Sequence, residues 1–389
     1  MKLQEIQSAL RERRFDAWLF YDHHHRDPIA YKVLGLPEHL MVTRRWFYVV
    51  PAEGEPCKLV HRIEAGHLDS LPGGKRLYSA WQELQGSLQT MLAPYRNIAM
   101  QYSPNNQIPY IGLVDAGTVE LVRSFGKNIL SAADLVSRFE AVLTEGQIAS
   151  HYAARDAVDQ VTAAAFQEIG RRVRDGGTNE FEIMQWIKQA LEREELDTGG
   201  EFPIVGVNAN SGNPHYEPSA EGSSPIREGD FVLLDIWGKK KSSQACFYDI
   251  TWTGFVGRSP SERHVEIFNI VRDARQVGVQ TVQAAFAAGE KICGWQVDKA
   301  VRDFISNKGF GEYFVHRTGH NISASLHGNG ANLDNLETKD EREILPSTCF
   351  SVEPGIYLPE FGVRSEINML TGKNKAEVTG REQTELVLI

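Results

Sequence analysis

The segment Phe231–Thr251, FVLLDIWGKKKSSQACFYDIT, constrains this chain more than any other. Its two arms, FVLLDIW and ACFYDITW, are runs of aliphatic and aromatic residues, each interrupted by one acid, Asp235 and Asp249. The polar stretch GKKKSSQ between them reads as a solvated turn, so the whole reads as a β-hairpin. Pairing about Ser242 sets Asp235 directly opposite Asp249, where Cβ atoms lie roughly 5 Å apart and like charges repel. Two carboxylates face to face in an apolar strand pair need protonation or a cation.

The pattern recurs in FSVEPGIYLPEFGVRSEINML, Phe350–Leu370. Pairing centred between Pro359 and Glu360 sets Glu353 opposite Glu366. A lone acid in a strand is ordinarily solvent-facing, but two opposed pairs, each following a pair of helices, form a repeated device. Four such acids in one pocket carry a charge of about −4, which two divalent cations balance; oxygen-rich sites suit Mn, Mg or Ca, and imidazole favours Zn, Co or Fe. Candidate imidazoles lie in YFVHRTGHNISASLH, which holds His316, His320 and His327, and in the NPHY loop, which holds His215. The spacing is not that of a zinc-binding helix. Gly319 favours an extended segment in which His320 approaches a cation closely.

With 389 residues the chain exceeds what one core usually holds. Residues 1–143 alternate strands (AWLFY, RWFYVV, KLVHRI, NIAMQYS) with helices and read as an α/β domain. Residues 144–389 read as a second domain, in the order helix, helix, strands, then helix, helix, strands. Its predicted helices are Glu145–Arg174, Thr178–Glu194, Ser261–Ala288 and Trp295–Asn307, and the order suggests an internal duplication. A net charge of −10 argues against a nucleic-acid partner. Four cysteines without CxxC spacing argue against a disulfide framework. No run of apolar residues is long enough to span a membrane, and the charged amphipathic N-terminus is unlike a signal peptide. These features lead to the expectation of a cytoplasmic protein.

Asp235, Asp249, the Gly319–His320 pair, VEPGIY at Val352–Tyr357 and FGVRSE at Phe361–Glu366 resemble the dinuclear metallopeptidases of the pita-bread fold. That group includes prolidase, aminopeptidase P, methionine aminopeptidase and the related creatinase. The resemblance is strong from about residue 145 onward, and the two-domain layout favours the prolidase, aminopeptidase P and creatinase branch. It implies an α/β N-terminal domain followed by an α+β pita-bread domain with an internal pseudo-twofold duplication. It further implies two divalent ions, manganese foremost and cobalt or zinc as alternatives, held by Asp235, Asp249, His320, Glu353 and Glu366. Asp249 and Glu366 bridge in that scheme. Glu353 also shuttles a proton, and His215, His316 and His327 contact the substrate or the tetrahedral intermediate. Arg364 braces Glu366, and Arg342 receives a substrate carboxylate.

The implied reaction is hydrolysis of an Xaa-Pro bond in a short peptide by a homodimeric enzyme. The rivals are hydrolysis or lysis of a small non-peptide metabolite by a creatinase-like relative, and a non-catalytic binding module. Thirteen residues separate Asp235 from Asp249, more than the family's usual spacing, which marks Gly238–Ala245 as an extended turn. His23–His25 reads as a solvated loop or part of a partner subunit's active-site wall. Arg44, Arg45 and Trp46 read as a surface cluster.

Overall fold

The unbroken apolar run AWLFY forms strand β1 (Ala17–Asp22), buried along its whole length, as an apolar run in a covered sheet should be. The computed structural model describes residues 2–37 and 39–389, which divide into two units, Met1–Glu140 and Ala141–Ile389.

In unit 1, β1 pairs antiparallel with β2 (Trp46–Pro51), which pairs antiparallel with β3 (Cys57–His61); β3 lies parallel to β4 (Gly74–Tyr78). On its other flank β1 lies parallel to β5 (Asn97–Met100), and β5 to β6 (Asn128–Ser131). The sheet order is therefore β4-β3-β2-β1-β5-β6, with β2 alone running against the rest. Helices α1 (Leu3–Arg13), α2 (Pro28–Leu34), α3 (Trp81–Leu92), α4 (Ala116–Ser124) and α5 (Ala133–Glu140) flank it. Alternation along β1 sends Trp18 and Phe20 to the face covered by α1, α2 and α5. Ala17, Leu19 and Tyr21 go to the face covered by α3 and α4.

Unit 2 opens with α6 (Glu145–Asp175), started by a capping box in which Thr144 and Gln147 satisfy each other's backbone N–H. Strand β7 (Thr178–Asn179), helix α7 (Glu180–Arg193) and strands β8 (Leu196–Asp197), β9 (Ile204–Val207) and β10 (Pro225–Ile226) lead to the long hairpin of β11 (Phe231–Lys240) and β12 (Tyr248–Phe255). Helices α8 (Glu262–Ala288) and α9 (Gly294–Asn307) follow, then β13 (Asn321–Ile322), β14 (Cys349–Val352), β15 (Gly355–Tyr357), β16 (Gly362–Arg364), β17 (Ile367–Thr371), β18 (Ala376–Val378) and β19 (Val387–Leu388). The two halves are built alike. Val232, Leu234, Ile236, Tyr248 and Ile250 pack outward on α6 and α7. Val352, Ile367 and Met369 pack outward on α8 and α9. With a side-chain period of two, the intervening residues face inward, and these are Asp235, Asp249 and Thr251 in one half and Ser351, Glu353, Glu366 and Asn368 in the other.

His151 joins α6 to the start of β12 and to the segment that follows β18 from within the core. It is fully buried; Nδ1–H donates to Phe247 O at 2.5 Å and Nε2 accepts from the Thr379 hydroxyl at 2.8 Å. Burial pushes its pKa down to about 4 from 6.5. A depressed folded-state pKa gives stability that is complete above pH 6.5 and is lost as pH falls through about 4. The linked loss amounts to about 3 kcal/mol at full protonation. Urea unfolding between pH 7 and 4 is expected to show a shallower acid slope for His151→Gln than for the native chain; identical slopes would contradict this role.

Candidate metal centre

The directly opposed aspartates expected from the sequence do not occur. Asp235 pairs with Thr251, and Asp249 with Trp237. The register is shifted by two residues because β11 continues through Lys239 and Lys240, which pair with β8. A two-residue shift preserves the face, so both aspartates point inward as diagonal neighbours. Lys239, expected in a solvated turn, is 9% exposed. Its Nζ donates to Ala324 O at 2.7 Å and lies over the Phe247 ring. Phe247 N–H also donates to Ser323 O at 3.0 Å. The extended turn is thus docked against the segment that leads to His327.

The second hairpin keeps the expected register. Gly355 pairs with Arg364 and Val352 with Ile367, which puts Glu353 across from Glu366 in the gap between two ladder segments. Pro354, which has no N–H, helps open that gap. The freed backbone groups bond elsewhere: Glu353 N–H to Thr318 O at 2.8 Å, and Glu366 N–H to Thr251 O at 3.1 Å in the first hairpin. Asn368 completes the seam, accepting from Asp249 N–H at 2.9 Å and donating to Asp249 O at 2.7 Å. One half of unit 2 is thereby stitched to the other through the backbone of its acids.

His320 enters from a third segment. A Cβ on Gly319 would lie 2.0 Å from Ser351 O, so only glycine lets this segment lie against β14. The backbone N–H of His320 donates to Ser351 Oγ at 2.9 Å, and Ser351 Oγ in turn donates to Glu353 at 2.9 Å. Nε2 of His320 lies 3.6 Å from Asp249 Oδ2 and 3.5 Å from Glu353 Oε1. Ligating atoms of Asp249, His320 and Glu366 all fall within 4.8 Å of one another.

Asp235 Oδ1, Asp249 Oδ1 and Glu366 Oε1 are buried without a hydrogen-bond partner. Burial raises the pKa of Asp235 to about 7, with the charges of Asp249 and Glu353 adding to it. Burial first, then neighbouring acids, holds Asp249 and Glu366 well above the usual carboxylate range. Glu353 goes the other way: burial raises its pKa, but His320, His316, Arg364 and the Ser351 hydrogen bond together outweigh that and lower it. Burial lowers the pKa of His320, leaving a neutral imidazole suited to ligation. Partnerless buried carboxylate oxygens around a neutral imidazole fit divalent cations by donor chemistry.

Other predicted residues fall differently. Arg364 does not brace Glu366 directly. It pairs through Nη2 with Asp235, donates through Nε to Thr251 Oγ1 at 2.9 Å, and meets Tyr357 and Pro214 O at 3.3 Å. Thr251 Oγ1 then donates to Glu366 at 2.8 Å. At 4% exposure and with its donors engaged, Arg364 offers no free fork to a substrate. Arg342 is 2% exposed and is held by Asp340, with Nε at 2.9 Å and Nη2 at 2.5 Å, and by Asn329 O at 2.8 Å. Its side chain reaches none of the five candidate ligands and serves the packing of this loop.

The three accessory histidines also differ from one another. The pKa of His316 is pushed down to about 4 by burial. Nδ1–H of His316 donates to Arg317 O at 2.7 Å and Nε2 accepts from the Tyr357 hydroxyl at 2.7 Å. His327 is exposed, its ring 4.2 Å from that of His320. His215 is exposed on its loop.

That loop depends on a residue the sequence reading took only as part of a helix start. Glu180, fully buried at the first turn of α7, accepts from Val207 N–H at 2.8 Å, Asn210 Nδ2 at 2.9 Å, Tyr216 OH at 2.6 Å and Ser224 N–H at 2.7 Å. Thr251 and Asn368 were also missed. Each lies two residues from a predicted ligand, and the same alternation that selects the ligands could have found them.

The chain is similar to known proteins in sequence and in fold. A putative Xaa-Pro aminopeptidase of Mycoplasma pneumoniae is 30% identical over 232 residues, 59% of this chain and 61% of that protein. An Xaa-Pro dipeptidase of Pyrococcus furiosus is 28% identical over 257 residues, 65% of this chain and 67% of its own length. The match thus spans about three fifths of the first of these relatives. The crystal structure of dipeptidase PepE from Mycobacterium ulcerans superposes with a TM-score of 0.69 at 22% identity, covering 100% of this chain and 96% of that one. The fold is the two-domain pita-bread architecture. The model of Metallopeptidase family M24 matches residues 153–373, a stretch that holds all four clustered acids and His320, and the chain belongs to that family.

Proposed function

We propose that this chain hydrolyses Xaa-Pro bonds in short peptides, with Asp235, Asp249, His320, Glu353 and Glu366 holding two divalent cations, manganese foremost and cobalt or zinc next. The observation that carries this reading is the group of three buried, partnerless carboxylate oxygens beside a neutral imidazole. Family membership and the names of the relatives support the substrate class. When bound, such cations lower the pKa of a water between them and polarise a carbonyl oxygen.

The chain's own residues account for the rest. Glu353 is the most exposed acid of the four, and the only one of them whose pKa is lowered. It is therefore placed to accept a proton and to hand it to the leaving imide nitrogen. Ser351 fixes one of its oxygens meanwhile. His327, beside His320 and without a hydrogen bond among the described residues, and His215, on the loop tied down by Glu180, supply N–H donors to the carbonyl oxygen as charge develops there. His316 acts through Tyr357, whose hydroxyl it orients. Arg364 holds Asp235 in place and, through Thr251, steadies Glu366.

Adding manganese at about a hundred times its dissociation constant is expected to stabilise the fold by about 2.7 kcal/mol, read as a rise of a few degrees in melting temperature over the EDTA-treated protein. Asp249→Ala should abolish the rise, and equal melting with and without metal contradicts the centre. A panel of Xaa-Pro and Xaa-Pro-Yaa peptides assayed with manganese, cobalt and zinc tests the reaction itself. Release of the residue before proline is expected. His327→Ala should lower kcat by about 10²–10³-fold, the cost of one oxyanion donor, with metal content unchanged. Stoichiometric metal with no turnover of any Xaa-Pro peptide would reject the peptidase reading and spare the metal centre.

A further inference from the structure

His316 and His320 sit on a stretch that regular structure barely secures. Between the single helical turn Gly311–Tyr313 and strand β13, residues 314–320 form neither helix nor strand, apart from one bridge between Gly319 and Leu333. An irregular backbone must find partners for its N–H and C=O groups elsewhere. Where both imidazoles stand therefore depends on what supplies those partners.

Helix α9 supplies them through two residues one turn apart, Asp298 and Arg302. Asp298 is fully buried. Its Oδ1 accepts from the Thr318 backbone N–H at 2.9 Å and from the Thr318 hydroxyl at 2.6 Å. Its Oδ2 accepts from Asn335 N–H at 2.9 Å, two residues beyond the bridge at Leu333. Arg302 donates to both oxygens at 3.1 Å, through Nη2 to Oδ1 and through Nε to Oδ2. Arg302 also donates through Nη1 to Phe314 O at 2.8 Å and through Nη2 to His316 O at 2.7 Å. One ion pair thus grips residues 314, 316 and 318 in succession.

The grip carries on to the acid cluster. Thr318 O accepts from Glu353 N–H at 2.8 Å. His320, two residues further on, donates from its backbone N–H to Ser351 Oγ, and Ser351 Oγ holds Glu353. Asp298 bonds to none of the five candidate ligands. The core packing of α9 falls instead to Val297, Val301 and Ile305. A buried ion pair adds little net stability over an apolar pair of similar volume. What Asp298 and Arg302 supply is therefore one defined geometry for residues 314–318, and with it the relative placement of His320 and Glu353.

The first half of unit 2 uses the same device, since buried Glu180 on α7 ties down the loop that carries His215. We propose that Asp298, locked by Arg302, is a positioning residue for the His320 and Glu353 side of the metal centre, an inference that rests on the reading of that centre given above. It touches neither cation nor substrate and acts through Thr318.

Calorimetric titration of manganese into the EDTA-treated full-length chain, with Xaa-Pro peptide kinetics alongside, tests this. The variants are Asp298→Asn, which keeps the side chain's shape, and Asp298→Asn combined with Arg302→Gln, which leaves no charge unpaired. Val158→Ala, a core truncation on α6, is the control for lost stability alone. Both Asp298 variants are expected to keep the native circular dichroism and to weaken one of the two manganese binding steps about 10–100-fold, with the other step unchanged. Their kcat should fall about 10²-fold with KM unchanged, the cost of a misplaced group rather than of lost substrate binding. Val158→Ala should lower the melting temperature and leave manganese affinity and kcat as they were. Native manganese binding and kcat in either Asp298 variant overturns the proposal. So does an equal loss in Val158→Ala, or failure of both Asp298 variants to fold, which makes the pair a determinant of the fold. A native chain that binds manganese but cleaves no Xaa-Pro peptide rejects the peptidase reading, and the manganese comparison then decides this proposal by itself. A native chain that binds no manganese overturns both.

Discussion

Mutual repulsion among four inward-facing carboxylates is the constraint on which unit 2 depends. Asp235, Asp249, Glu353 and Glu366 stand on the inner faces of two half-sheets whose outer faces are closed by helix pairs. None can turn outward without taking its whole strand with it, because the strand period is two. The fold therefore concentrates negative charge that it cannot disperse. Arg364 offsets part of it at Asp235, and three oxygens remain without a partner. The unpartnered oxygens follow from how the halves are joined: the seam from Glu366 to Thr251 and from Asn368 to Asp249 brings the acids together through backbone contacts that their side chains oppose.

Which face each acid occupies was legible in the sequence; which residue it opposes was legible only in the second hairpin. There the turn LPEFG is short and the ladder register follows from its length. In the first hairpin the polar run GKKKSSQ reads as a turn, yet two of its lysines extend β11 and pair with β8. Local composition cannot reveal that partner, because β8 comes from a segment more than forty residues earlier. The arginines show the same limit. Arg364 and Arg342 look alike in sequence, as basic residues near ligands, but the first is bonded into the acid cluster and the second into a loop through Asp340. Glu180 was hidden because its position at a helix start explains an acid there without reference to the four groups it holds.

Unit 1 was legible for the opposite reason. β1 is apolar on both faces, so a sheet covered on both sides follows from composition alone. What composition could not supply was the geometry of its polar loop. The His-rich segment reads as a solvated loop or part of a partner subunit's active-site wall; His24, His25 and Arg26 are exposed, and Asp22 folds the loop into left-handed geometry at the point where the strand order reverses.

Anomalous diffraction from crystals grown with manganese tests the account of the acid cluster most directly. Two peaks are predicted, both bonded by carboxylate oxygens of Asp249 and Glu366, with Asp235 on one side and His320 and Glu353 on the other. No peak in the cluster, or peaks bonded elsewhere while Asp249 Oδ1 and Glu366 Oε1 stay unliganded, would contradict it.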